Sequence, residues 1–140
     1  MDHQRIVVRN ALTEIERVSR MVEAFGATHG LAHKAIFQLN LALDEILTNV
    51  ISYAFTDGAG HDIVLRLAVI AGQITAEVED DGQAFNPLDV APPALDAPLA
   101  ERPAGGLGLH LVRQVVDRLE YRREGGKNIL VLQKTVAAKP

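Results

Sequence analysis

The sequence predicts an α+β fold in which an antiparallel β-sheet carries its helices on one face. Apolar residues recur every three or four positions between residues 15 and 54, as in amphipathic helices. Between residues 63 and 78 they alternate with polar residues, as in half-buried strands. Glycine-containing turns near residues 72 and 125 separate strand-like segments, which favours hairpins. The resulting order, βααββ–loop–αββ, predicts a two-layer sandwich.

Length and composition indicate one globular domain over residues 1–140, because 140 residues with 48% apolar content can bury a sizeable core. The net charge of −4 and a longest basic cluster of only Arg122 and Arg123 argue against direct nucleic-acid binding. The absence of cysteine excludes disulfides and thiolate metal sites. No apolar run is long enough for a signal peptide or a membrane span, so we expect a cytoplasmic protein with no membrane contact.

The first two elements are a strand and a helix. Gln4 to Val8 has a β-branched centre and is expected to form a short edge strand. Thr13 is expected to cap the next helix, with Glu16 three residues later as its capping-box partner. Gly26 is the expected stop of this helix.

The second helix, expected from Leu31 to about Phe55, contains two stripes. Its apolar stripe consists of Ile36, Leu39, Leu43, Leu47, Val50 and Ala54. Glu45, Asn49 and Ser52 lie on a second stripe almost opposite. Glu45 and Asn49 are four residues apart and can reach the same point, where a carboxylate beside an amide oxygen suits a base next to Mg²⁺. The alternative is an ordinary solvated polar face.

A hairpin follows, and it ends in an acidic tip. Its strands are expected over Asp62 to Ile70 and over Ile74 to Val78, with the turn at Gly72 and Gln73. The second strand runs into Asp80 and Gly82, where a buried carboxylate could accept a hydrogen bond from the exocyclic amine of a base. The alternative is a plain polar turn.

The last third of the chain begins with a proline-rich loop, residues 87–103, whose length is unusual inside a compact domain. Next, residues 105–109 (GGLGL) open a helix, and a glycine-rich turn at a helix start offers backbone N–H groups to phosphate. Many such glycines are only turns, and that alternative stays open. Leu119 to Arg123 and Asn128 to Val136 are expected to form a closing hairpin.

Three motifs in this order resemble one family. The segment LALDEILTNVISYA resembles the N box, VEDDGQAF the first glycine box and GGLGLHLV the second glycine box of the ATP-binding fold shared by gyrases and sensor histidine kinases. Within this GHKL superfamily, the chain is most similar to the small anti-sigma factor serine kinases of bacteria. The resemblance covers nearly the whole chain and implies a two-layer α/β sandwich with a mixed, mostly antiparallel sheet and helices on one face.

The resemblance also implies roles for individual residues. Asn49 would coordinate Mg²⁺, Glu45 would act as general base, and Asp80 would bind the adenine amino group of ATP. Gly82 would let the backbone approach the base, and residues 86–104 would form the ATP lid. The remaining nucleotide contacts would come from Ala84, Phe85, Gly105, Gly106, Leu107, Gly108 and Leu109.

The function implied is that of an ATP-dependent serine/threonine kinase that binds a sigma factor and phosphorylates an antagonist protein of the STAS type, with a homodimer expected. Two positions depart from the family pattern: Ala84 replaces a common glycine, and Ala104 stands where several kinases have a basic residue. The alternatives are a non-catalytic ATP-binding switch that controls a partner, and the catalytic half of a split histidine kinase.

Overall fold

The computed structural model describes residues 3–86 and 112–135. The first part contains β1 (His3–Arg9), α1 (Glu14–Thr28), α2 (His33–Tyr53), β2 (Asp62–Ile70) and β3 (Gln73–Asp80). The second part contains a helical segment at residues 112–115, followed by β4 (Arg118–Glu124) and β5 (Lys127–Thr135). This order confirms the predicted succession of helices and strands for the described residues.

The five strands form one sheet in the order β1-β2-β3-β5-β4. All four neighbouring pairs are antiparallel, and β1 lies at an edge as predicted. Because β3 pairs with β5, Asp80 at the end of β3 lies opposite Asn128 at the start of β5. The sheet therefore brings together two residues that are 48 positions apart in the chain.

The hydrophobic core lies between the sheet and the helices, with α2 at its centre. The predicted apolar stripe of α2 is buried over its whole length, which confirms the helix and its orientation: Ile36, Leu39, Leu43, Leu47, Val50 and Ala54. Strand residues on one face of the sheet complete the core, among them Ile6, Leu65, Ile74 and Leu132. Within the described ranges, neither helix is long and apolar enough to cross a membrane.

The predicted capping hydrogen bond at the start of α1 is wrong. Thr13 directly precedes the helix as predicted, but it has helical dihedral angles (φ −63°, ψ −16°), and its side chain makes no capping hydrogen bond. Glu14, the first residue of α1, instead accepts the Arg9 N–H on Oε1 at 3.1 Å, and its carboxylate also accepts from Arg17 at 2.9 Å and 3.0 Å. The helix start is thus fastened to the end of β1 by a carboxylate, and Glu16 has no part in a capping box.

The predicted stop at Gly26 is also wrong, since α1 continues to Thr28. Gly26 is buried inside the helix, where a Cβ would lie 2.6 Å from Cγ1 of Ile36. The glycine therefore permits close packing of α1 on α2 instead of ending the helix.

Candidate functional site

The acidic tip at the end of β3 is built around the buried carboxylate of Asp80. Only 3% of Asp80 is exposed, so the alternative of a plain solvated turn does not fit. Its Oδ1 accepts hydrogen bonds from the Gly82 N–H and from Asn128 Nδ2, both at 2.9 Å. Burial raises the pKa of this carboxyl, while the bonds from Asn128 and Gly82 act in the opposite direction. Because both described hydrogen bonds end on Oδ1, Oδ2 can accept a hydrogen bond from a ligand.

Asn128 is the polar centre of this site, and the sequence reasoning missed it. Its Nδ2 also donates to the Gln83 carbonyl at 2.7 Å. Its Oδ1 accepts from the Tyr121 hydroxyl at 2.5 Å, from Arg123 Nη1 at 3.0 Å and from the Phe85 N–H at 3.2 Å. A single asparagine before the apolar run ILVL was the available signal, and its meaning depended on the pairing of β3 with β5.

The segment after Asp80 is fastened to the end of α2. The Gln83 N–H donates to the Ala54 carbonyl and Gln83 Nε2 donates to the Tyr53 carbonyl, both at 2.8 Å. A Cβ on Gly82 would lie 2.3 Å from the Ala54 carbonyl oxygen, so the approach of this segment to the helix requires glycine. Contact with helix α2 is thus a constraint on Gly82 that the sequence did not reveal. Its predicted contact with a nucleotide stays a prediction.

Glu45 and Asn49 lie on α2, before the end to which this segment is fastened. Asn49 is five residues before Ala54, or about 7.5 Å along the helix axis. It is only 3% exposed, so the alternative of a solvated polar face does not fit it, whereas Ser52 is exposed. Burial raises the pKa of the half-buried Glu45 carboxyl, and the adjacent Asn49 side chain lowers it.

Glu45 Oε1 and Asn49 Nδ2 are buried and make no hydrogen bond of good geometry with the described residues, although Asn49 lies close enough to lower the pKa of Glu45. Buried polar atoms are normally fully paired, so this incomplete pairing leaves both side chains able to bind a ligand. A half turn of the Asn49 amide would present its oxygen there instead of its nitrogen. An amide oxygen at Asn49 fits Mg²⁺, which shares its ligand shell with phosphates and water, and the carboxylate of Glu45 beside it fits a base. The described residues contain no cluster of three or more side chains that could enclose a metal.

The remaining predicted site residues divide into two groups. Phe85 lies beside the acidic tip, with its ring centroid 5.9 Å from that of Tyr53, and Ala84 is exposed. The predicted phosphate-binding residues 105–109, the position of Ala104 and the lid beyond residue 86 lie outside the described residues. Among the described residues, Asp80 is linked through Asn128 and Gln83 to the end of α2, the helix that carries Glu45 and Asn49. The predicted roles of these residues in binding a nucleotide and a metal stay predictions.

Comparisons with known proteins show the family and the fold. A family model described as a histidine kinase-like ATPase domain matches residues 8–134. The serine/threonine-protein kinase BtrW of Bordetella bronchiseptica is 36% identical over 96 residues, which cover 69% of this chain and 68% of the relative. The serine-protein kinase RsbW of Bacillus mycoides is 24% identical over 106 residues, covering 73% of this chain and 66% of the relative.

Among solved structures, the chain resembles the crystal structure of the RsbU and RsbW domains of Rv1364c from Mycobacterium tuberculosis. The TM-score is 0.72 at 16% sequence identity, and the match covers 99% of this chain but only 34% of the other. At this identity the likeness concerns the fold, and it supports the α+β sandwich described above.

Proposed function

The chain belongs to the histidine kinase-like ATPase domain family, and on that premise we propose that it is an ATP-dependent protein serine/threonine kinase acting as an anti-sigma factor. One observation carries the proposal. The buried carboxylate of Asp80 is held by Asn128 and fastened, through Gln83, to the helix that carries Glu45 and Asn49. The carboxylate proposed to bind the adenine base is thereby attached to the helix that carries the proposed metal ligand, Asn49, and the proposed base, Glu45.

In this proposal Asp80 selects the nucleotide. Its Oδ1 is occupied by Gly82 and Asn128, so its Oδ2 accepts the amino group of adenine. Residues 105–109 bind the phosphates through their backbone N–H groups, and residues 86–104 close over them as a lid. Mg²⁺, held by Asn49, would neutralise charge on the phosphates.

Glu45 is the general base. Burial raises the pKa of its carboxyl, which makes it a better proton acceptor than a surface carboxylate. The oxygen of a substrate serine forms a bond to the γ-phosphorus of ATP, ADP leaves, and the hydroxyl proton passes to Glu45. Phosphoryl transfer depends mainly on the positioning of the reacting groups and on neutralisation of the phosphate charge. In this proposal α2 and the segment that Gln83 attaches to it position the groups, and the Mg²⁺ held by Asn49 would neutralise the charge.

The protein partners belong to the same proposal. The substrate is a STAS-type antagonist, the sequestered protein is a sigma factor, and the chain acts as a single-domain homodimer in the cytoplasm without contacting nucleic acid. A non-catalytic ATP-binding switch is the second candidate, because Ala104 leaves no basic residue at the position where several related kinases have one.

A single-turnover assay with labelled ATP and antagonist candidates encoded near the gene tests the proposal. Glu45→Gln keeps the size of the side chain but cannot accept the proton, so we expect ATP affinity near that of wild type and transfer slowed at least about a hundredfold. Asp80→Asn places a donor opposite the adenine amine, and we expect ATP affinity to fall roughly tenfold to 150-fold. A Glu45→Gln rate within a few fold of wild type would remove Glu45 as the base. ATP binding without any transfer by wild type would favour the switch.

A further inference from the structure

A cleft between α1 and α2 shares none of its lining residues with the candidate nucleotide site. Its volume is about 960 Å³, and its walls combine apolar side chains with carboxylates. We infer that this cleft is a docking surface for a partner protein that presents an apolar side chain next to a lysine or an arginine.

The apolar part of the cleft includes two exposed side chains on α2. Phe37 is 59% exposed and Leu41, one helical turn later, is 37% exposed, and both line the cleft. They lie outside the stripe by which α2 packs on the sheet, so they add nothing to the core described above. Neighbouring exposed apolar side chains beside a cleft are typical of sites where another protein binds.

The charged part of the cleft is acidic. Glu23 on α1 and Asp44 on α2 line it, together with His33, and the described lining contains no lysine or arginine. Burial raises the pKa of the Asp44 carboxyl, against the effect of the Ser19 hydroxyl, which donates to it at 3.0 Å. A poorly solvated carboxylate is stabilised by an approaching cation, so this part of the cleft favours a basic group.

Asn40 provides an independent observation at the wall of the cleft. It is 8% exposed, and its Nδ2 donates to the Ser19 carbonyl at 3.2 Å. Its Oδ1 is buried and has no hydrogen-bond partner among the described residues. An unfilled acceptor fits a ligand rich in N–H donors, such as an ammonium or guanidinium group. Because Gly26 has no Cβ, α1 packs closely on α2 at Ile36, and both residues line the cleft in the chain alone.

A second copy of the chain fits the cleft less well than a basic partner. A two-fold contact centred on the cleft would bring Glu23 and Asp44 against the same carboxylates of the other copy. A basic partner meets no such repulsion. Asp44 is next to Glu45 in the chain, so a partner held here would lie within about 10 Å, one helix diameter, of the proposed base.

The test measures fluorescence anisotropy of three labelled helical peptides without nucleotide. The probe carries leucines four residues apart among lysines, and its controls replace all lysines by glutamate or all leucines by serine. We expect wild type to bind the probe at least about tenfold more tightly than either control. Phe37→Ser should weaken binding at least about tenfold and Asp44→Asn at least about threefold. The matched control Ile70→Ser, which changes an exposed side chain on the β2–β3 hairpin, should leave binding unchanged.

Three results would overturn the inference: no preference of wild type for the probe, equal binding by Phe37→Ser and Ile70→Ser, or loss of a wild-type dimer in Phe37→Ser without loss of peptide binding. The last result would mean that a second copy covers the cleft. Circular dichroism confirms that each variant is folded. The peptide assay contains no nucleotide, so its failure would not count against the kinase proposal. Conversely, a failure to detect phosphoryl transfer would not change the result of the peptide assay.

Discussion

Single polar residues hold this molecule together at points where two elements meet. Glu14 is one of them: its carboxylate accepts the N–H of Arg9 at the end of β1 and two bonds from Arg17 within α1. Arg17 in turn donates to the Val7 carbonyl at 2.7 Å. The hydrogen bonds from Arg17 and Arg9 lower the pKa of Glu14 from 4.5 to about 2. The ionised form of Glu14 is therefore favoured in the folded state.

This shift predicts a pH-dependent contribution to stability. The folded-state pKa is below the unfolded value, so the stabilisation from Glu14 is complete above about pH 4.5 and is lost as the pH falls towards 2. In urea unfolding, Glu14→Gln should be less stable than wild type near neutral pH, and the difference should shrink in acid. Glu16→Gln is the matched control, because Glu16 lies 3.9 Å from Arg20 in a highly exposed pair. An equal difference for Glu14→Gln at both pH values would contradict the prediction.

At the scale of elements, hydrophobic periodicity predicted β2 with its observed bounds and the core face of α2. Predictions from local sequence were wrong at positions where contacts with other parts of the chain or the observed backbone conformation differ from the local rule. The sequence predicts a helix stop at Gly26 because glycine often ends helices, but the role of this glycine depends on Ile36, ten residues away in the next helix. The sequence predicts the β2–β3 turn at Gly72 and Gln73, which is one residue late: the centre of the turn is Ala71 and Gly72, and Gln73 already belongs to β3.

That turn predicts a stabilising substitution. Both central residues have positive φ, 52° at Ala71 and 77° at Gly72, as in a type I′ hairpin turn. Alanine is strained in this left-handed region, whereas asparagine tolerates it. Ala71→Asn should raise the free energy of unfolding by about 0.5–1 kcal/mol in chemical denaturation. Gly72→Ala, which introduces the same strain next to it, should lower that free energy by about 1 kcal/mol. A stability loss in Ala71→Asn would show that the alanine has another role.

The candidate site combines residues that the sequence patterns indicated with contacts that those patterns did not indicate. Asp80, Glu45 and Asn49 were identified because each follows a local pattern. Asn128 and Gln83 were missed because their partners are distant: Asn128 bonds to Asp80 across 48 positions, and Gln83 bonds to Tyr53 across 30. Such contacts depend on strand order and on where a helix ends in space, which one sequence does not specify.

The contact between the acidic tip and α2 gives the last prediction. A Cβ on Gly82 would lie 2.3 Å from the Ala54 carbonyl oxygen and 2.8 Å from its carbon, and backbone atoms cannot rotate away as a flexible side chain can. Gly82→Ala should therefore push residues 82–85 off the helix end and lower the free energy of unfolding by about 1–3 kcal/mol. Asp80 would move with them, so ATP affinity should fall as well.

Gly60→Ala is the matched control for this variant. A Cβ there would meet only the end of the Arg9 side chain at 3.4 Å, so the stability should change by less than about 0.5 kcal/mol. Calorimetry of ATP binding and denaturant unfolding of both variants distinguish the possible outcomes. If Gly82→Ala loses ATP affinity but keeps its stability, the glycine serves the nucleotide, as the sequence motif suggested. If Gly82→Ala loses stability but keeps its ATP affinity, the position of Asp80 does not depend on its attachment to α2. The observation that carries the kinase proposal would then lose its support.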